Sequence, residues 1–261
     1  MAQNSRGIAL LVLVVILLVV VSSRISPPKG SAREKVRPTD DPYQVTEAPA
    51  LEIELPATPE PEKSVRDELP GISAGDWNLK LVNNDYVLSS SFTPNVTEVI
   101  SGQYFDSRAA DPLKQMVYDA QTAGYNIYIV NAYRPYSTQA YIFFGRASQI
   151  QWGTDMEMIE AETLAREVVA YPGTSEHQLG LAVDIMDSPD TVMDSQTAGD
   201  LPVLQWLNEH CAEYGFIPRY PADKEEITGW NEPWHFRYVG KDCAEYIMEN
   251  GLCLEEFIAL L

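Results

Sequence analysis

The sequence predicts an α+β domain. Helical and strand-like segments alternate along it, but irregularly. The rhythm of strand, helix, strand that builds a doubly wound sheet is missing. The apolar periodicity also switches between three-to-four and two along the chain. A run of apolar residues and a proline-rich stretch precede this region and belong to neither pattern.

The run comes first. Ile8 to Val21 is unbroken and apolar, with Arg6 before it and Ser22, Ser23 and Arg24 after it. Fourteen helical residues span about 21 Å, against a bilayer core of about 30 Å. Residues 1–23 are therefore expected to be a signal peptide or a short membrane anchor. Val21-Ser22-Ser23 offers small residues at which a peptidase can cut. Arg24, Lys29, Arg33, Lys35 and Arg37 follow, opposed only by Glu34. On charge alone that flank favours the cytoplasm.

Residues 24–75 read as a disordered stalk. From Ser22 to Gly75 the chain holds nine of its eighteen prolines, with scattered acids and almost no aromatics. Such a segment buries too little apolar area to offset its ordering entropy, and prolines with like charges keep it extended.

Residues 76–261 are expected to be the globular domain. Trp77 to Leu88 reads as two short strands around an Asn83-Asn84 turn. Arg108 to Ala123 reads as a helix, with Leu113, Met116, Val117 and Ala120 on one face and Gly124 as its stop. Asn126 to Ala132 is a strand. Tyr136 to about Trp152 and Asp155 to Ala170 are helical. Leu181 to Met186 is a strand, and Leu201 to Tyr214 is a helix stopped by Gly215. Asp242 to Asn250 and Leu254 to Leu261 close the chain as two helices around Gly251.

The formal charge of −20 argues against nucleic acid as a partner, because phosphate contacts need clustered Lys and Arg. It otherwise describes a soluble, self-repelling surface. None of the three cysteines forms a CxxC pair. Cys243 and Cys253 flank Gly251 and are close enough in sequence to bridge; three small buried hydrophobes are the other reading.

The chemistry lies in two short segments. Ser175 to Asp184 contains His177 and Asp184, seven residues apart. That is not the HExxH spacing, which puts two ligands on one helical face. Gly180 interrupts any helix between them, so His177 belongs to a loop and Asp184 to a strand. The distant segment Glu232-Pro233-Trp234-His235 supplies a third ligand, His235. Two imidazoles and one carboxylate leave a fourth tetrahedral position free, as catalytic zinc requires. Zinc lowers the pKa of a bound water to about 7. Glu232, just outside the ligand set, is placed to take that proton and pass it to a leaving amine. Pro233 stiffens the segment and Trp234 walls it. Arg134 ends the strand at Ala132 in a proline-containing turn. Its guanidinium suits an oxyanion or a substrate carboxylate. Each residue alone has a duller role as a salt bridge or core hydrogen bond, and it is their joint occurrence that signifies. His210 has no such company and reads as structural or exposed.

The segments SEHQLGLAVD, EPWHFRYVG and AYRPYSTQ resemble the zinc D-alanyl-D-alanine carboxypeptidases of the VanY type, a family that also includes L,D-carboxypeptidases. Its pattern is close to S-x-H-x-x-G-x-A-x-D, then E-x-W-H, with an upstream Y-R-S-x-x-x-Q. The likeness runs from about Asp76 to the tail GLCLEEFI. It implies a single catalytic domain of the Hedgehog/D-Ala-D-Ala peptidase kind, with a central antiparallel sheet flanked by helices. It implies one zinc on His177, Asp184 and His235, Glu232 as base and Arg134 as transition-state stabiliser. Ser175 and Gln139 then match the family's substrate-binding positions. Pro135 stands where the family commonly has Ser, which predicts local stiffening only. The implied substrate is the terminal D-alanine of a peptidoglycan stem peptide, with L,D-cleavage and cross-bridge endopeptidase action as close alternatives. A wall-binding module that keeps zinc only for structure is the alternative of another class. An external substrate outweighs the basic flank and places a monomeric domain outside the membrane at the cell envelope. The segments at Ala147–Thr174 and Ser188–Asp200 are expected to line the pocket.

Overall fold

The computed structural model describes residues 64–261. The expected anchor and most of the expected stalk lie outside those residues. Among the described residues, no helix is long and apolar enough to cross a membrane.

In chain order the elements are α1 (Val65–Glu68), β1 (Val96–Ile100), β2 (Gln103–Asp106), α2 (Ala110–Thr122), β3 (Tyr128–Asn131), α3 (Tyr136–Gln151) and α4 (Met158–Ala165). There follow a 3-10 turn at Glu176–Leu179, β4 (Ala182–Met186), α5 (Pro202–His210), β5 (Phe216–Tyr220), α6 (Glu225–Thr228), β6 (Glu232–Tyr238), α7 (Lys241–Glu249) and α8 (Leu254–Leu260). Four strands form one antiparallel sheet in the order β3-β4-β6-β5, and β1 and β2 form a separate hairpin. The architecture is thus α+β with a central antiparallel sheet among helices.

The period-2 alternation of β4 and β6 divides the sheet into two faces. Val183, Ile185 and Phe236 join a core with Leu113, Met116 and Val117 of α2 and Val203, Leu204 and Leu207 of α5. Asp184 and His235 occupy the alternate positions, on the other face. A second core, around Ile217, Val239, Cys243, Ile247, Leu254 and Phe257, packs α7 and α8 onto the sheet. A third joins α3 to α4 through Phe143, Ala147, Ala161 and Ala165.

Several expectations change. Trp77 to Leu88 forms turns rather than two strands. The carbonyls of Asn78 and Lys80 accept hydrogen bonds from Arg237 Nη2 at 3.0 and 2.9 Å, instead of from a neighbouring strand. Asn83 Oδ1 caps the amides of Asp85 and Tyr86. The packed region begins before Asp76, since Val65 is buried in the second core and Leu69 and Ile72 pack against it. The expected helix at Asp155–Ala170 is only Met158–Ala165. The three cysteines are free and buried, so they serve as small hydrophobes. His210 is partly exposed, pairing with Glu213 at 2.8 Å and lying against Trp206.

Candidate active site

Three backbone devices assemble the site. The first is sheet register. Asp184 of β4 lies opposite His235 of β6, so both side chains leave the same face. Asn131 of β3 lies opposite Asp184 on its other side.

The second is the turn at Glu176–Leu179, which presents His177. It ends on Gly180, whose φ of +72° is left-handed. A Cβ there would sit 3.3 Å from Pro94 and Val96 side-chain carbons, so both conformation and space favour glycine. The Gly180 carbonyl accepts from the Asp106 amide at 2.8 Å, tying the turn to the hairpin.

The third is a bulge. Glu232 and His235 are three apart, so regular alternation would put them on opposite faces. Between the pairs Pro218–Phe236 and Tyr220–Glu232, β5 advances two residues while β6 advances four. Pro233 lies in this irregular stretch, where the missing N–H interrupts no ladder. Glu232 Oε2 therefore reaches to 3.5 Å from His235 Nδ1.

The candidate ligand atoms converge. Asp184 Oδ2 is 3.0 Å from His177 Nε2, and Asp184 Oδ1 is 3.0 Å from His235 Nδ1. All three groups are buried, and one ligand atom from each lies within 4.8 Å of the others. Ligands about 2.0–2.1 Å from a tetrahedral zinc sit roughly 3.3 Å from one another, close to these separations. Among the described residues Asp184 Oδ1 makes no hydrogen bond despite the nearby imidazole; the pair has the distance of a hydrogen bond without its geometry. Atoms aimed at a shared ion behave in this way, and the donor set fits zinc.

Supporting contacts select which nitrogen of each imidazole faces Asp184. His177 Nδ1 donates to the Ala132 carbonyl at 2.8 Å, leaving Nε2 free. His235 Nε2 faces Glu176 Oε2 at 3.5 Å, leaving Nδ1 toward Asp184. Burial pulls His177 below its usual range, toward the neutral form a metal needs. Burial also acts against charge on His235, but the close carboxylates of Asp184 and Glu176 prevail and push it up to about 9. Asp184 is held well below the carboxylate range: burial opposes this, and the two imidazoles outweigh it.

Glu232 and Arg134 flank the cluster. Burial pushes Glu232 up to about 7, countered by His235 and reinforced by Asp184, a range suited to proton transfer near neutrality. Arg134 follows β3. Its amide donates to the His177 carbonyl at 3.1 Å, and its Nη2 donates to Ser175 Oγ at 3.3 Å. Arg134 Nε is buried with no partner among the described residues. Gln139 of α3 is buried, with Nε2 donating to the Ala170 carbonyl at 2.6 Å and Oε1 left without a partner among the described residues. All seven residues singled out in the sequence thus line one cavity of about 280 Å³, with Val168 to Ala170, Thr174, Met193, Tyr220, Trp230 and Trp234. Val168, Val169, Ala170, Thr174 and Met193 come from the expected lining segments, whereas Tyr220 and Trp230 come from elsewhere.

The sequence reading missed Glu176. It is fully buried, pairing with Arg219 at 2.8 Å and Arg237 at 2.7 Å. The only signal was a carboxylate beside His177, with two arginines far along the chain.

A buried His₂Asp set with an acid and an arginine in one small cleft defines a zinc metallopeptidase. The comparisons narrow the class. Residues 102–241 match the family model VanY, D-alanyl-D-alanine carboxypeptidase. The putative carboxypeptidase YodJ of Bacillus subtilis (strain 168) is 38% identical over 202 residues, covering 73% of this chain and 70% of that protein. A crystal structure of a variant of the vancomycin-resistance D,D-pentapeptidase VanY from the VanB-type cassette, in complex with Zn(II), aligns with a TM-score of 0.60 at 36% identity, over 70% of this chain and 99% of that one. The LD-carboxypeptidase LdcB aligns with a TM-score of 0.59 at 38% identity, over 69% and 85%. The chain belongs to the VanY D-alanyl-D-alanine carboxypeptidase family and is a zinc carboxypeptidase.

Proposed function

We propose that this chain removes the terminal D-alanine from a peptidoglycan stem peptide, with His177, Asp184 and His235 holding the zinc. The observation that carries the proposal is the convergence of that ligand set, Glu232 and Arg134 in one cleft. Zinc in such a set supplies Lewis-acid polarisation of a carbonyl and an acidified water. Glu232 takes the proton from the attacking water and returns it to the departing amine, so the carboxylate ends as it began. Arg134 holds negative charge on the peptide, as the oxyanion or the terminal carboxylate. Ser175, fixed against Arg134, and Gln139, through its free Oε1, position the peptide end. Trp234 and Trp230 wall the cleft. Its volume is near the lower limit of ligand clefts, about 300 Å³, which suits a chain terminus with methyl side chains.

A second reading is L,D-cleavage, favoured by the nearly equal likeness to LdcB. Both readings place the domain outside the membrane, where stem peptides are, with residues 8–21 as tether or export signal and the domain acting as a monomer. Digestion of defined tripeptide, tetrapeptide and pentapeptide stems, read by mass spectrometry, separates them. Loss of one D-alanine from the pentapeptide supports D,D-cleavage, and loss from the tetrapeptide supports L,D-cleavage. Hydrolysis of none of the three overturns both.

A further inference from the structure

Four charged side chains run from the metal site to the last helix. Glu176 Oε2 lies 3.5 Å from His235 Nε2, and neither atom has a hydrogen-bond partner among the described residues. The other oxygen, Oε1, accepts from Arg219 Nε at 2.8 Å and from Arg237 Nη1 at 2.7 Å. Arg219 then forks onto Glu255 of α8, with Nη1 and Nη2 donating at 2.8 and 2.6 Å. Glu176, Arg219 and Arg237 side chains have no exposed surface, while Glu255 retains 16%. Two acids and two guanidiniums make the set neutral.

Burying these charges is costly unless each is paired and hydrogen-bonded. Among the described residues Arg237 has no further acidic partner, and its remaining donors go to the carbonyls of Asn78, Lys80 and Tyr238. Apolar side chains of similar size would hold a sheet to a helix at lower risk. What the set provides is a fixed carboxylate oxygen behind an imidazole. A ligating histidine whose distal N–H meets a carboxylate is fixed in tautomer and ring orientation, and is made a stronger donor.

We propose that Glu176 is a positioning residue for the metal ligand His235, and that Arg219 and Glu255 carry this support to α8. Glu176 Oε2 accepts the Nε2 proton of His235, so the Nδ1 lone pair faces Asp184 and the ion. Arg219 and Arg237, both on Oε1, keep the carboxylate from rotating away. Glu255 keeps Arg219 aimed at Glu176. One short turn thereby supplies the ligand His177 and the support of a second ligand on a different strand. The C-terminal helix becomes part of the metal site although it contributes no ligand.

The inference rests on zinc binding at His177, Asp184 and His235, and zinc affinity tests it without turnover. Zinc dissociation constants of the full chain are measured by competition with a chromophoric chelator. Far-UV circular dichroism of each metal-free variant reports folding, and visible absorption of the cobalt(II) form reports ligand geometry. Glu176→Gln is expected to weaken zinc about 10–100-fold and to shift the cobalt bands. Glu255→Gln leaves Glu176 and every ligand in place and lies at a partly exposed position. It is expected to fold and to weaken zinc at least threefold. Should Glu176→Gln fail to fold, Glu255→Gln decides. Less than threefold weakening in Glu255→Gln, or in a folded Glu176→Gln, overturns the proposal. A wild-type chain that binds no zinc overturns the metal site itself, a separate result.

Discussion

Asp184 and His235 are opposed residues on neighbouring antiparallel strands, with Oδ1 and Nδ1 3.0 Å apart. Sheet register therefore sets the separation of two of the proposed ligands, and a loop has only to bring the third. A one-residue slip of β6 would send His235 to the opposite, apolar face. The buried pairs Val183–Phe236 and Ala182–Arg237 in the same ladder oppose any slip. The proposed metal site inherits its rigidity from the core on the other side of the sheet.

Asp184→Ala is accordingly expected to fold and to lose zinc. The sheet keeps its ladder, and two imidazoles alone make a weak site. Metal analysis after gel filtration is expected to fall from about one zinc per chain to well below it, with far-UV circular dichroism unchanged. Full zinc retention would exclude Asp184 as a ligand.

Glu232→Ala separates base from ligand. Glu232 lies outside the ligand set, 3.5 Å from His235 Nδ1, so zinc content is expected to stay the same while turnover falls by about 10²–10⁴. Steady-state hydrolysis of a stem pentapeptide, beside zinc analysis of the same sample, checks both. Unchanged turnover would move the base elsewhere.

The site was more legible in the sequence than the fold around it. His177, Asp184, Glu232 and His235 stand in dense, unusual segments, where residue type alone restricts the chemistry. The amphipathic α2 was equally plain, because Leu113, Met116, Val117 and Ala120 repeat at helical spacing and all four are buried. The hairpin of β1 and β2 was missed, since VTEVI and QYFD are short and half exposed. Trp77 to Leu88 misled because its apolar residues alternate. Leu79 and Val82 are fully buried, but tertiary hydrogen bonds to Arg237 replace a strand partner. Glu176 was invisible because its partners Arg219 and Arg237 come from β5 and β6, and only folding brings them together.

Glu256 gives α8 a pH-sensitive start. Its carboxylate accepts from the Cys253 amide at 2.8 Å, closing a capping box, and pairs with Lys224 at 2.9 Å. Burial raises its pKa, but these partners prevail and hold it below the usual range. A depressed carboxylate stabilises the fold above its unfolded pKa, about 4.3, and that contribution disappears as pH falls through the folded value. Glu256→Ala is therefore expected to cost about 1 kcal/mol at pH 7 and much less near pH 3. Thermal melts of both proteins at the two pH values read the difference directly, and a gap independent of pH would refute the assignment.

Gly180→Ala tests whether the turn between two ligands must be left-handed. A non-glycine residue at φ +72° costs about 1–2 kcal/mol, and the new methyl would meet Pro94 and Val96 carbons at 3.3 Å. Relief requires the turn to move, yet His177 and Asp184 lie on either side of it, and the Gly180 carbonyl is bonded to Asp106. The substitution is thus expected to lower the melting temperature of the metal-free protein and also to weaken zinc, because any shift separates His177 Nε2 from Asp184 Oδ2. Asn at the same position tolerates left-handed backbone better than Ala but adds more bulk. If conformation dominates, Asn is the milder change; if crowding by Pro94 and Val96 dominates, Ala is. Melting temperatures and zinc affinities of the two variants rank these causes, and wild-type values in both would show that neither constrains the turn.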